Sequence, residues 1–330
     1  MTNERADRPG ATGDSWGRTE VYTFGRLLVD LYAEQLHKPL EEVTSFRKYL
    51  GGSAANTAVG LARLGAKAGL ISRVGPDDFG KYLLQVLQRE GVDTSMVAVD
   101  PKYPTALAFA AIFPPQDSKV LFYRKPCADT HVTVDDIDWE KALNARIVSI
   151  AGTALCESPS REAVLALLEE RRRAGVLNVV DVDWRPTLWE DRHAARIYYR
   201  MALKLTDVVI ANEPELEMAG ESSDQETAAK NLLALGASQV VAKRGGDGVM
   251  YFGEGGPLRV GRVEVEVMNT LGAGDGFGAA YNFGLLQGWD PERRLRFANA
   301  AGAIVVSRHS CSEAMPTREE VEALLAKARV

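Results

Sequence analysis

The sequence predicts an α/β protein: a three-layer α/β/α sandwich around a mostly parallel central sheet, with a small β-sheet inserted as a lid. Three observations carry this. From about residue 140 onward, short apolar runs alternate with helical segments, as expected for strands covered on both faces. Two β-rich pieces, near 32–50 and 97–125, flank one αβ unit and read as the lid. The polar residues with chemical potential mostly follow strands, where ligands bind in such sheets.

The elements follow in order. Val21 to Leu31, VYTFGRLLVDL, reads as one buried strand ending at Asp30. The polar stretch after it shows no helical stripe. In GGSAANTAVGLARLG, Gly51 and Gly52 make a turn, Ser53 caps, and Ala, Val and Leu recur at helical spacing. Ala68 to Val74 is a strand, and Gly80 to Glu90 a helix that closes at Gly91. Prolines 101, 104, 114 and 115 punctuate the next stretch, leaving TALAFAAIF and KVLFYR as strand-like pieces. RIVSIAG, VLNVVDVD, DVVIAN, QVVAKRG and GVMYFG then predict further strands, with helices in SREAVLALLEERRRAG and DQETAAKNLLALG.

Bulk properties narrow the function. The 330 residues are 46% hydrophobic and 25% charged, enough to bury a core without a metal or disulfide staple. Cys127, Cys156 and Cys311 include no C-x-x-C pair, and the odd count speaks against a disulfide framework. A reducing cytoplasm is the expected setting. Net charge is −6 with no basic run, so no nucleic-acid partner is expected. No apolar stretch approaches the roughly 20 residues of a membrane span. Residues 1–19 lack the apolar core of a signal peptide and read as a disordered tail; residues 20–330 read as one domain carrying the lid. His37, His131, His193 and His309 share no metal-ligand spacing.

The sharpest chemical feature is NTLGAGDGFGAAYNFGLLQG, from Asn269 to Gly288. Gly272, Ala273 and Gly274 are small residues at a loop-to-helix junction, and Asp275 falls in the first helical turn. Backbone N–H groups at such a terminus lack partners and, with the helix dipole, bind anions. That suits a transferring phosphoryl group. A carboxylate beside it can accept the proton of an attacking alcohol.

Gly272-Ala273-Gly274-Asp275, together with Gly51-Gly52 followed by Asn56, resembles the PfkB, or ribokinase-like, carbohydrate kinases over residues 20 to 327. The resemblance implies the ribokinase-like fold, ATP and Mg²⁺ as cofactors, and Asp275 as catalytic base with Gly272, Ala273 and Gly274 as its anion hole. Asp30, Gly51, Gly52 and Asn56 resemble the family's sugar-binding residues. Arg124, which closes the lid strand, is either a clamp for an anionic or ketonic substrate or a solvated surface arginine. Arg185, in Asp183-Trp184-Arg185-Pro186, resembles an arginine that faces substrate or phosphate. Asn212 and Glu215 match the N-x-x-E motif that organises hydrated Mg²⁺; a helix N-terminus is the other reading. Lys243, Gly245 and Gly248 resemble the nucleotide loop, a hairpin turn being the alternative. The helix 297–307 resembles the adenine wall, with Asn299 as a polar contact. No G-x-x-x-x-G-K-[ST] is present, so this is not a P-loop kinase. Asn269 and Leu271 depart from the acidic residue and Thr common in the family, which bears on a monovalent cation.

Within the family, GRLLVDLYAEQ, KYLGGSAAN, FYRKPCAD, VDVDWRPTLW and SRHSCSEAMPT resemble the branch that phosphorylates 5-dehydro-2-deoxy-D-gluconate in myo-inositol breakdown. A sugar-acid substrate is therefore expected, with Arg124 and Arg185 as candidates for its carboxylate. 2-Keto-3-deoxygluconate kinase or fructokinase on the same scaffold, and a silent sugar-binding protein of kinase ancestry, stay open. A dehydrogenase does not fit, since no G-x-G-x-x-G follows the first strand. The family's habit of pairing through the lid implies a homodimer.

Overall fold

The computed structural model describes residues 19–114 and 118–328. The expected tail lies outside them except for Thr19, which is buried and donates to Asp93 Oδ2 at 3.0 Å. Among the described residues, thirteen strands form two sheets. In chain order they are β1 Val21–Phe24, β2 Leu28–Ala33, β3 Phe46–Gly51, β4 Ala68–Val74, β5 Asp93–Val99, β6 Ala106–Ala111 and β7 Lys119–Tyr123. There follow β8 Ile147–Ala151, β9 Leu177–Asp181, β10 Val208–Asn212, β11 Gln239–Lys243, β12 Val249–Phe252 and β13 Leu258–Val260.

The large sheet runs β13-β12-β11-β10-β9-β8-β1-β4-β5. Its strands from β5 across to β11 are parallel, and β12 and β13 close one edge antiparallel. Runs such as VVIAN and IVSIA are buried along nearly their whole length, because helices cover both faces. The helices are α1 Ser53–Arg63, α2 Asp78–Arg89, α3 Trp139–Asn144, α4 Ser160–Arg173, α5 Arg192–Leu203, α6 Glu213–Gly220, α7 Gln225–Leu235, α8 Ala273–Leu286, α9 Pro291–Val306 and α10 Arg318–Lys327. One core packs Leu167, Tyr199 and Leu232 of α4, α5 and α7 on the sheet; another packs Phe277, Tyr281 and Ile304 of α8 and α9. No described helix is long and apolar enough to cross a membrane.

The lid is the second sheet, ordered β3-β2-β6-β7. Two sequence expectations change here. Val21 to Leu31 is not one strand: it breaks at Gly25 (φ +141°), Arg26 and Leu27, leaving β1 in the large sheet and sending β2 into the lid. Gly25 lies so close to the neighbouring strand that an added Cβ would meet Ala151 Cβ at 3.2 Å. Asp30 therefore sits inside a lid strand, not at the end of a main-sheet strand. Residues 97–99 are part of β5, the edge of the large sheet, because β5 pairs with β4.

Side chains alternate across the lid. Asp30, Ala108 and Phe122 share one line of paired residues, and Leu31, Phe109 and Leu121 share the line on the other face. The first face lies over the cleft. The second exposes Leu121 and Tyr123, with Phe46, Phe109 and Tyr123 in edge-to-face contact at 5.3 and 5.6 Å.

Gly52 ties lid to sandwich. It ends the β3 turn at φ +100°, and an added Cβ would lie 2.3 Å from the Arg26 carbonyl oxygen. Gly52→Ala should lower stability by at least about 1–3 kcal/mol, the usual cost of such strain, read as a lower urea midpoint. An unchanged midpoint would show that this crossing tolerates a side chain.

Candidate active site

The N-terminus of α8 organises the site. Gly272 precedes it at φ +82°, and an added Cβ would lie 2.9 Å from Cys311 Sγ. Only glycine suits both the left-handed backbone and that gap. The first-turn N–H groups have no partner within the helix, so they and the helix dipole favour an anion. A Cβ on Gly274 would lie 3.4 Å from Lys243 Nζ, so an ammonium stands beside the same turn. Ala273 and Gly274 both stand in this first turn.

Asp275 occupies this first turn, and Asn56 Nδ2 of α1 donates to its Oδ2 at 2.8 Å. Burial, reinforced by the negative charge of Asp183, pushes Asp275 up to about 7. Asp30 reaches down from the lid. Burial raises it also to about 7, with Arg26 opposing and Asp275 adding to the rise. A Cβ on Gly51 would fall 2.1 Å from Asp30 Oδ2, so Gly51 makes room for that carboxylate. Asp30, Gly51, Gly52, Asn56 and Asp275, spread over 246 positions of the chain, therefore meet at one place, with Thr23, Ser53, Thr57, Ser149 and Asp181 lining the pocket beneath.

A second carboxylate group sits at the carboxyl ends of β9 and β10. Asp183 adopts φ +37°. Its Oδ1 pairs with Arg185 at 3.0 Å. Its Oδ2 accepts from Ser53 at 2.6 Å, Thr153 at 3.1 Å and Arg26 at 3.4 Å. Burial alone would raise Asp183, but Arg185 and Arg26 hold it below the usual carboxylate range. Lys243 Nζ pairs with both oxygens of Asp181, at 2.9 and 3.1 Å. Burial raises Asp181 despite that lysine, with Asp183 adding to the rise. Burial takes Glu215 to about 7, Lys243 opposing and Asp181 reinforcing.

Several expectations find different partners. Arg124 is 2% exposed; its Nε pairs with Asp129 at 2.7 Å and its Nη1 meets Thr153 O and Cys156 Sγ. It is not a surface arginine: the buried Asp129 pairs with it, and Nη2 is left without a hydrogen-bond partner. Asn212 and Glu215 form a reciprocal capping box on α6, at 3.0 and 2.8 Å, so the helix-terminus reading holds for their geometry. Gly245 and Gly248 form the turn between antiparallel β11 and β12, both at positive φ, while Lys243 points inward to Asp181. Asn299 lies away from these groups, in a cleft with Gly261, Arg262, Arg296 and Leu325, where it donates to Gly261 O at 2.9 Å. Cys127, Cys156 and Cys311 are all free and buried.

Sequence reasoning passed over Arg26, Ser53, Thr153, Asp181 and the carboxylate of Asp183. The one available signal was the repeated V-D-V-D at the end of β9, which places two acids at the sheet's carboxyl edge.

Among the described residues, no three of His, Cys, Asp and Glu form a ready cage for a metal. A hydrated Mg²⁺ needs few protein ligands. A buried Glu215 raised by burial and by its neighbour Asp181 is the kind of donor whose charge such a cation would relieve, so the residues fit that ion.

The pfkB family carbohydrate kinase description matches residues 18–318. A 5-dehydro-2-deoxygluconokinase of Geobacillus thermodenitrificans is 41% identical over 304 residues, covering 90% of each chain. A protein described as a ribokinase II from E. coli, solved in complex with ATP and Mg²⁺, superposes with a TM-score of 0.87 at 28% identity, covering 94% of this chain and 99% of the other. A fructokinase with bound ATP from Xylella fastidiosa gives 0.84 at 26%, covering 94% and 100%.

The raised Asp275 has a consequence for stability. Between about pH 4 and 7 the folded protein keeps a proton that the unfolded chain has released, so this residue's contribution falls as pH rises through that window. Asp275→Asn removes the cost. Its Tm should exceed that of the parent at pH 8, and the gap should shrink as pH falls toward 4. A gap that stays constant with pH would mean that Asp275 is not buried as an acid.

Proposed function

The chain belongs to the pfkB family of carbohydrate kinases, and from that premise we propose that it phosphorylates the primary alcohol of 5-dehydro-2-deoxy-D-gluconate. ATP is the donor, and the products are the 6-phosphate and ADP. It is an ATP-dependent sugar-acid kinase; the particular acid rests on the names of relatives near 40% identity. One observation carries the reading: Asp275, held by Asn56 and raised to about 7, stands at the anion-binding end of α8 beneath the lid's Asp30.

The chemistry follows from those positions. Asp30 and Asn56 hold sugar hydroxyls. Asp275 takes the proton of the terminal alcohol as its oxygen attacks the γ-phosphorus in line. A pKa near 7 lets it be ionised at working pH and still be a competent base. The N–H groups at 272–274 stabilise the charge that develops on the phosphoryl oxygens, with Lys243 beside them. Arg185, paired on one side with Asp183 and half exposed, has donors left for phosphate. The backbone of Gly245 and Gly248 and the Asn299 cleft suit the nucleotide. Mg²⁺, held through Glu215 and its capping partner Asn212, would supply neutralising charge on the phosphates. Asn269 is a neutral amide that accepts from Leu271 N at 3.1 Å and donates to His309 O at 3.1 Å, which supports at most a weak dependence on a monovalent cation.

The lid face that exposes Leu121 and Tyr123, with Phe109 partly covered between them, supports a homodimer through the lid, since an aromatic sheet face of this kind needs cover. A cytoplasmic setting is consistent with three free, buried cysteines.

Coupled ADP-release assays across 5-dehydro-2-deoxy-D-gluconate, 2-keto-3-deoxygluconate and D-fructose should give the highest kcat/KM with the first. Asp275→Asn should lower kcat by roughly 10²–10⁴, the usual worth of a general base, with sugar and ATP still bound. Preference for another sugar would reassign the substrate. Retained turnover in the variant would remove Asp275 as the base, and sugar binding without turnover in the parent would point to a silent binding protein.

A further inference from the structure

We propose that Arg26 holds the carboxylate of the sugar acid and is the specificity-determining residue of this site. The inference rests on the reading that the substrate is a sugar acid, and adds which side chain recognises the acid group.

Arg26 lies in the three-residue crossing between β1 and β2, under the lid and beside the cleft. It is 6% exposed. Only Nη2 finds partners, Ser53 Oγ at 3.3 Å and Asp183 Oδ2 at 3.4 Å. Nε and Nη1 are buried without a hydrogen-bond partner among the described residues. A guanidinium in that condition is costly, since buried charges ordinarily have every donor engaged. Asp183 relieves it only in part: that carboxylate also takes Arg185 at 3.0 Å, Ser53 at 2.6 Å and Thr153 at 3.1 Å, its contact with Arg26 is the longest of the four, and it reaches Nη2 alone. Two arginines thus share one carboxylate, and two donors of Arg26 are left over.

The surroundings place that charge on the sugar side. Phe122, on the same lid face as Asp30, covers the guanidinium at 5.1 Å from its ring centroid. Arg26 acts electrostatically on Asp30 and Asp275 together. The phosphate side has its own cation in Lys243, beside Gly274. Arg124, just after β7, pairs with Asp129 at 2.7 Å and leaves only Nη2 without a partner, where Arg26 leaves two donors. An anionic oxygen from a ligand would complete the donors of Arg26. A neutral sugar would leave them orphaned, which is how a polar site rejects the wrong substrate.

The test uses the purified full chain with Arg26→Gln and Arg26→Lys, assayed by ADP release with 5-dehydro-2-deoxy-D-gluconate and with D-fructose as the neutral ketose. The ratio of kcat/KM for acid over fructose should fall about 10–100-fold in Arg26→Gln, the worth of one charge-assisted hydrogen bond. The loss should lie in KM for the acid, Arg26→Lys should be intermediate, and KM for ATP should move less than about threefold. Equal losses for both sugars would overturn the proposal in favour of a support role for Asp183. A tenfold rise in KM for ATP would overturn it in favour of a phosphate contact. If the parent turned over no sugar acid, the substrate reading would fail, yet Arg26 would still be tested by thermal shift. D-Gluconate should then stabilise the parent more than D-glucitol does, and Arg26→Lys should weaken that difference; equal shifts from the two ligands would overturn the assignment.

Discussion

Five carboxylates and three cations share one largely buried cleft, and the arrangement depends on how their charges are balanced. Asp183 sits below the usual range because Arg185 and Arg26 outweigh its burial. Asp275, Asp30 and Glu215 rise to about 7 because burial outweighs the cations they can reach. One low acid beside several high ones is what divides the labour: a fixed anion that orders arginines, and acids poised to exchange a proton or meet a cation.

The fold produces this balance by drawing the site from two sheets. The large parallel sheet brings Asp181, Asp183 and Lys243 to its carboxyl edge, where α8 also begins. The lid brings Asp30 from above. Gly25, Arg26 and Leu27 form the crossing between the two, so the chain must leave one sheet for the other within three residues. Ser53, in the first turn of α1, donates to Asp183 130 residues away. The crossing into the lid and the floor of the site are therefore one hydrogen-bonded unit.

Much of this was legible in the sequence, for a physical reason. Gly272, Ala273, Gly274 and Asp275 are local: a glycine that must take positive φ, small residues and a first-turn acid announce themselves within four positions. The alternation of apolar strands and helices is also local, and the parallel sheet follows from it. What escaped was tertiary. Nothing near Arg124 says that Asp129, five residues on, will fold back to neutralise it. Nothing near Arg26 says that Asp183, 157 residues away, will be its partner. Val21 to Leu31 reads as one strand because its hydrophobicity is unbroken; the break comes from the need to leave one sheet for another, and Gly25 was its one local mark. Asn212 and Glu215 read alike as a metal motif and as a capping box, and the bonds they make are those of the box.

The most direct test of this balance is to follow the side-chain carboxyl resonances of the ligand-free protein by NMR as pH is varied, with Asp275 assigned by its loss in the Asn variant. The account predicts that Asp275 titrates near pH 7, and that replacing Asp183 by Asn moves it down, because a neighbouring negative charge has gone. An Asp275 resonance that titrates near 4 and ignores the Asp183 substitution would contradict it.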